Sequence, residues 1–436
     1  MNSHQIITVF VLAAAVFHSA QSHAAIIGTN VPAEPLTLAR IEMLPSGQQA
    51  AWKLYLETSA QQRRADQQLL QKEMGERGLA TSVIPPASRG VGSMPLNRRA
   101  DWYETKDARR IADIIVSFQT PAGGWSKNID LSDHPRAAGE GFASDNSSRY
   151  VGSADNDALK DVRWSYVATI DNGATTAELR YLAKVISALP EDQGTRYRDA
   201  FSRGIDYLLA AQNPSGGWPQ VWPLQGGYHD AITYNDGAMV NVMELLREVA
   251  ATKEPFAFTP QAVRERVEAS VERGIECLLA TQVVVEGKRT AWCQQHDALT
   301  LKPTAARNYE MPSLCSAESA GIIDFLMELP KPDSNVVAAV RSAVAWLEKT
   351  QLNDVAFRNV GDKGRLLVPA PGSGPLWARY YEIGSNRPIF GERDKTIHDR
   401  VDDISFERRK GYAWFTDGPA GVMKRFPKWN AARAAR

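Results

Sequence analysis

Four segments of this 436-residue chain read as amphipathic helices that each end in glutamine: residues 111–119 (IADIIVSFQ), 204–212 (GIDYLLAAQ), 274–282 (GIECLLATQ) and 343–351 (AVAWLEKTQ). Apolar residues at i, i+3 and i+4 give each a single buried stripe. Gln212 to Gln282 is 70 residues and Gln282 to Gln351 is 69, while the step from Gln119 to Gln212 is longer by about one loop. Between these segments lie three more helical stretches, residues 174–189, 238–250 and 317–329, none of which alternates with period two. The unit is therefore helix, turn, helix, repeated from residue 100 to 352. One pair of helices cannot bury its stripe alone, so successive pairs must pack side by side. The expected fold is all-α: an α/α toroid, an incomplete barrel of helix pairs with long rim loops and a few short strands. An open solenoid is the alternative. The long loops before Asp171 and after Trp218 favour the closed, cleft-bearing form.

The flanks of the repeat differ from it. Residues 6–17 form an apolar run too short for a bilayer span, followed by Ser22-His23-Ala24. Residues 1–25 therefore read as an export signal, although the first five residues carry no Lys or Arg. Residues 26–95 form a helical and linker segment of open role: 50–77 has high helix propensity, and 78–97 is rich in Gly, Pro and Ser. The toroid occupies 96–425, and from Gly361 onward the chain is loop-rich, then Arg-rich with interleaved Tyr and Trp. With 50 basic and 50 acidic residues the chain is no polyanion binder by bulk charge, so any anionic substrate must meet a local patch. Nucleic-acid and membrane partners are not expected, and the chain is expected to be monomeric. Cys277, Cys293 and Cys315 match no zinc spacing and read as core thiols.

Two copies of one motif carry the chemistry. Thr169-Ile170-Asp171-Asn172-Gly173-Ala174 and Thr233-Tyr234-Asn235-Asp236-Gly237-Ala238 each stand at the entrance to a helix. Calcium takes six to eight oxygens from carboxylates, carbonyls and water, and paired Asp and Asn supply several. Helix N-capping is the alternative for either copy. The turns Gly123-Gly124-Trp125 and Gly216-Gly217-Trp218 place Trp125 and Trp218 either as interhelical plugs or as platforms for a sugar polymer. Arg379, Arg387, Arg393, Arg400, Arg408 and Arg409 are diluted by acids, the pattern of a solvated face. Yet Trp377-Ala378-Arg379-Tyr380-Tyr381 and Arg408-Arg409-Lys410-Gly411-Tyr412 set guanidinium forks beside aromatic rings, which suits planar carboxylates. Lys302 adds a further candidate charge. The chain contains no P-loop, dinucleotide fingerprint, nucleophile elbow or His-Glu-x-x-His motif.

These motifs, in this order, resemble pectate lyases of polysaccharide lyase family 10. The resemblance runs over about residues 95–420 through QTPAGGW at 119–125, ATIDNGATT at 168–176, GGWPQ at 216–220 and GGYHDAITYNDGAM at 226–239. It continues through LKPT at 301–304, WARYYEIG at 377–384, RPIFGERD at 387–394 and ERRKGYAW at 407–414; Ser126 departs from the Pro expected there. The resemblance implies an α/α toroid and calcium-dependent β-elimination on polygalacturonate. It places Asp171 and Asp236 at the calcium site, Arg393 as the base, and Arg379 and Arg408 on the substrate. Lys302 and Trp218 are the remaining candidate substrate contacts. A lyase or hydrolase for another acidic glycan, and a non-catalytic binder of pectic fragments, are the competing functions.

Overall fold

The computed structural model describes residues 25–86, 94–132, 134–143 and 166–434. Its helices run in chain order α1 (Leu38–Glu42), α2 (Ser46–Glu76), α3 (Lys106–Ser117), α4 (Thr176–Ala188), α5 (Thr195–Ala211), α6 (Ala238–Ala250), α7 (Gln261–Thr281), α8 (Ser316–Met327) and α9 (Ser334–Thr350). Helices α4, α6 and α8 lie side by side in an inner row, and each packs on its outer partner, α5, α7 or α9. This is the expected α/α toroid of helix pairs. Its strands are short and confined to the rim, where Ile232–Thr233 pairs with Gln295–His296 and Tyr380–Tyr381 pairs with Leu314–Cys315. The three cysteines are buried free thiols.

The repeated glutamines join one helix pair to the next. The Nε2 amide of Gln119 donates to Gly123 in its own turn and to the Ala200 carbonyl of α5, both at 2.7 Å. Gln212 does the same with Gly216 and Ser270 of α7, and Gln282 with Thr290 and Ala339 of α9. After each glutamine a tryptophan turns back into the helix pair. The indoles of Trp125, Trp218, Trp292 and Trp377 donate to Ile115, Leu208, Leu278 and Leu347, and all four rings are fully buried. The Gly-Gly before Trp is a packing requirement. At Gly216 φ is +88°, and a Cβ there would lie 2.2 Å from the Arg273 carbonyl oxygen; at Gly217 it would lie 2.5 Å from the Ile232 side chain.

The N-terminal segment packs onto the rim rather than standing apart. Strand Ile26–Thr29 pairs antiparallel with Thr396–His398, which in turn pairs with Phe390–Gly391. Arg40 bonds Asp297 at 2.8 Å, the Tyr55 hydroxyl donates to the last carbonyl of α5 at Ala211, and Ser59 accepts from Leu224 N–H. Trp52 and Tyr55 belong to the same hydrophobic core as the toroid helices. Beyond the arginine-rich loops, α10 (Phe406–Gly411) and α11 (Pro419–Ala434) complete the chain, α11 packing on α8 and α9. Among the described residues no helix is long and apolar enough to cross a membrane. The export-signal expectation falls almost wholly outside the described residues.

Two predictions follow from this packing. Gly216→Ala should cost at least ~3 kcal/mol by forcing φ and a backbone clash together, whereas Gly321→Ala in α8, with nothing near its Cβ position, should stabilise the helix by about 0.5–1 kcal/mol. Paired thermal melts check the contrast. Asp66 of α2 is fully buried with only Gln62 on its Oδ1, and burial pushes its pKa up to about 7 against that single bond. The folded protein then holds a proton that the unfolded chain has released, so stability falls as pH rises from the unfolded carboxylate range to about 7. Asp66→Asn should therefore raise the melting temperature by about 2–4 °C at pH 8 and by less at pH 4.

Candidate active site

The two acidic motifs form matching 3₁₀ turns, Asp171–Gly173 and Asn235–Gly237, which pack against each other where α4 and α6 begin. The match is of backbone, not of charge. The first residue of each turn, Asp171 or Asn235, is buried; the second, Asn172 or Asp236, takes φ near +50°. That left-handed region is one that Asn and Asp tolerate. The acid sits first and buried in one turn, and second and half-exposed in the other, so the two carboxylates are not equivalent. N-capping by the two acids is also excluded, because the N-cap residues of α4 and α6 are Thr175 and Gly237, neither with a side-chain cap bond.

Asp171 is held by Lys127, whose ammonium lies 2.8 Å from Oδ2, and Oδ1 is buried with no hydrogen-bond partner among the described residues. Asp236 keeps a half-exposed side chain, its Oδ2 accepting from Asn235 at 2.9 Å. Loss of solvent around Asp236, with Asp171 and Glu310 as negative neighbours, pushes its pKa up against the pull of Arg379. A buried orphan carboxylate oxygen, a second carboxylate and neighbouring amide oxygens form a donor set that fits a hard, oxygen-seeking cation. Among the described residues no group of three or more acids or His/Cys ligands is gathered as a metal site, so the remaining oxygens must come from elsewhere.

Facing these turns is a wall of arginines interleaved with tyrosines. Arg379 stands between the strands Trp377–Ala378 and Tyr380–Tyr381 and is largely buried. Its Nη2 donates to Asn235 Oδ1 at 2.8 Å, Glu318 Oε1 at 2.9 Å and Gln294 Oε1 at 3.2 Å, and lies 3.9 Å from Asp236. Burial opposes that charge, but Tyr380, Tyr412, Glu318 and Glu310 hold its pKa above the usual guanidinium range. The Arg379 guanidinium lies 4.8 Å from the Tyr412 ring centre, and Tyr412 meets Tyr309 edge-on at 5.3 Å. Tyr309 is ringed by Arg307 at 4.9 Å, Arg393 at 5.4 Å and Arg408 at 4.3 Å.

Carboxylates neutralise this wall in pairs. Burial alone would raise the pKa of Glu310, but the two-pronged bond from Arg307 and the Tyr412 hydroxyl at 2.6 Å hold it at about 2. Glu407 serves two arginines at once: Arg393 donates to it from Nε at 3.1 Å and Nη2 at 3.3 Å, and Arg408 from Nε at 2.7 Å and Nη2 at 2.5 Å. Partial burial works against the charge on Arg393, yet Glu407 keeps its pKa above the ordinary value.

Five of the seven residues singled out from sequence meet here: Asp171, Asp236, Arg379, Arg393 and Arg408. Trp218 does not. It is 0% exposed and plugs the space between helices, so a sugar platform at that position is ruled out, as at Trp125. Lys302 is exposed beside the strand Pro303–Thr304, and among the described residues its ammonium makes no hydrogen bond or ion pair. Sequence reasoning passed over Lys127, Tyr309, Glu310 and Glu318. Lys127 follows Gly-Gly-Trp by two residues, and Glu318 is the third residue of α8 just as Glu178 is of α4.

The family model for pectic acid lyase matches residues 119–423. Comparison with curated protein sequences gives no match. Two solved structures of a family 10 polysaccharide lyase from Cellvibrio cellulosa are similar, at 31% identity and a TM-score of 0.63. One, a mutant in complex with trigalacturonic acid, covers 78% of this chain and 99% of its own, and the other covers 79% and 99%. With its toroid of helix pairs, its arginine wall and this match over most of its length, the chain belongs to the pectic acid lyase family and is a polysaccharide lyase.

Proposed function

We propose that this protein cleaves polygalacturonate by calcium-dependent β-elimination, with Asp171 and Asp236 holding the cation and Arg393 taking the C5 proton. The observation that carries the reading is the orphan Asp171 Oδ1 beside Asp236, opposite the arginine wall. The trigalacturonic acid bound by the Cellvibrio lyase supports the substrate class. The apolar run at residues 6–17 supports action outside the cytoplasm.

Calcium, when bound, supplies charge that draws electron density from the uronate carboxylate and so makes the C5 proton more acidic. The protein's own groups do the rest. Lys127 fixes Asp171 through Oδ2, so that Oδ1 is the oxygen that would hold the cation. Arg379 ties the Asn235–Gly237 turn to Glu318 and so holds Asp236 in register with Asp171. Arg408, whose guanidinium is nearly buried, and Arg393 present a paired positive edge to an incoming carboxylate. In the chemical step a neutral Arg393 nitrogen takes the C5 proton, the C5–H electron pair becomes the C4–C5 double bond, and the C4–O4 bond breaks. The departing oxygen then takes a proton from water. Because Glu407 holds Arg393 above its ordinary pKa, the neutral form is scarce near neutrality and the rate must climb with pH.

Polygalacturonate with added calcium should yield unsaturated ends that absorb in the ultraviolet, and excess chelator should abolish the signal. Asp171→Ala and Asp236→Ala should each lower turnover at least about a hundredfold at ordinary calcium, with partial recovery for Asp236→Ala at high calcium and little change in thermal melts. Full turnover in chelator, with no metal found on the protein, would contradict the reading. A second prediction concerns the base. Arg393→Ala should lose kcat far more than it raises KM, since proton abstraction occurs only in the transition state. Glu407→Gln removes the negative partner that disfavours the neutral base, so the alkaline limb of the pH–rate profile should move to lower pH. An unmoved limb would exclude Arg393 as the titrating group.

A further inference from the structure

The turn that carries Arg393 is held from outside the toroid. It spans residues 392–396, closed by Lys395 N–H on the Glu392 carbonyl and Glu392 N–H on the Thr396 carbonyl, with Lys395 at φ +76°. Two of its carbonyls face other segments. The Lys395 carbonyl accepts from the Asn30 N–H at 2.8 Å, and the Arg393 carbonyl accepts from Asn308 Nδ2 at 2.8 Å. Asn30 is 2% exposed, and its own Nδ2 donates to the carbonyls of Arg307 at 3.1 Å and Asn308 at 2.8 Å. Just before it, Thr29 and Gly28 stand opposite Thr396 and Ile397 in the three-stranded sheet.

One buried residue, through its backbone N–H on one side and its side-chain amide on the other, therefore joins two things that must keep their distance from each other. The first is the turn presenting Arg393. The second is the 307–310 segment, whose Tyr309 ring Arg393 lies against and whose Arg307 and Glu310 form the wall's neutral pair. We infer that Asn30 is a positioning residue for the lyase reaction: it sets Arg393 against Tyr309 by bonding both backbones at once, and the strand Ile26–Thr29 is part of the active-site scaffold. This rests on the reading of Arg393 as the base. Residue 30 lies outside the 119–423 family match, so the brace is a feature of this chain beyond that match. Its chemistry is specific to an amide. Both side-chain partners are carbonyl oxygens, so only a donor serves them, and a carboxylate of the same shape would set negative charge against both.

The test uses the whole protein with Asn30→Ala, Asn30→Asp, Asn308→Ala and the Asn30→Ala/Asn308→Ala double variant. Asn30→Asp should lower kcat on polygalacturonate at least about tenfold while KM stays within about threefold, and Asn30→Ala should be the milder of the two. A role in filling space alone predicts the opposite order, since Asp preserves shape. The double variant should lose less than the product of the single losses, because both residues hold one turn. Amide exchange at residues 392–396 should quicken at least about tenfold in Asn30→Asp, a readout that needs no substrate. Faster exchange with wild-type kcat would overturn the proposal by reducing the strand to a stabilising element, and unchanged exchange would overturn it outright. Arg393→Ala, measured alongside, separates the two failures. If it keeps the wild-type rate, the base assignment falls and this proposal with it; if it is inactive while the Asn30 variants are fully active, the proposal alone is overturned.

Discussion

Helices α3, α5 and α7 each lead into a glutamine whose amide is divided between the turn that follows it and the backbone of the next outer helix. That sharing is the constraint from which the site follows. It fixes how far and at what angle one helix pair sits from the next, and the buried tryptophan after each glutamine fills the space so defined. With the pairs held in register, α4, α6 and α8 begin on one rim, and the turns that lead into α4 and α6 are brought into contact. Two acidic turns separated by more than sixty residues in sequence become neighbours because the outer ring has a fixed step. Removal of an indole from such a position opens a cavity costing ~3–5 kcal/mol, which is why these residues serve the scaffold before they can serve a ligand.

The arginine side of the site answers a different physical demand. Guanidinium groups crowded onto one wall repel each other unless carboxylates and aromatic faces intervene, and here both do. Arg307 has Glu310, Arg379 has Glu318, and Arg393 and Arg408 share Glu407. A basic wall interleaved with acids in this way suits a uronate carboxylate without becoming a general polyanion trap. In the proposed role of base the same sharing would make Arg393 a reluctant one, since a carboxylate neighbour favours its protonated form. Activity rising toward alkaline conditions is what that proposal entails.

Much of this was legible in the chain. The helix pairs announce themselves because a 3.6-residue period and a near-constant step between glutamines are properties of sequence alone. Asp171, Asp236 and the three spaced arginines were legible through motif order. The role of Gly-Gly-Trp was not, because the same three residues describe an indole turned to the core or to the rim; the full burial of the ring and its bond to a helix carbonyl decide it. The repeat shows its acid changing place, from Asp171 in the first copy to Asp236 in the second, but not that the first position of each turn is buried while the second takes φ near +50°. Glu310, Tyr309 and Asn30 acquire meaning only through partners far away in sequence, such as Tyr412, Arg408 and Lys395. Helix α11 escaped notice because Pro419, Gly421 and Pro427 break the pattern that marks the other helices.

The central claim is that two turns from successive helix pairs form one cation site facing a single basic wall. Its most direct measurement is a crystal structure of this protein with calcium and trigalacturonate, grown at a pH low enough to keep Arg393 protonated and the substrate intact. The account predicts calcium about 2.3–2.6 Å from Asp171 Oδ1, from an Asp236 oxygen and from a substrate carboxylate, with C5 of that sugar about 3–3.5 Å from the Arg393 guanidinium. Calcium bound to other carboxylates, or a sugar whose C5 faces away from Arg393, would contradict it.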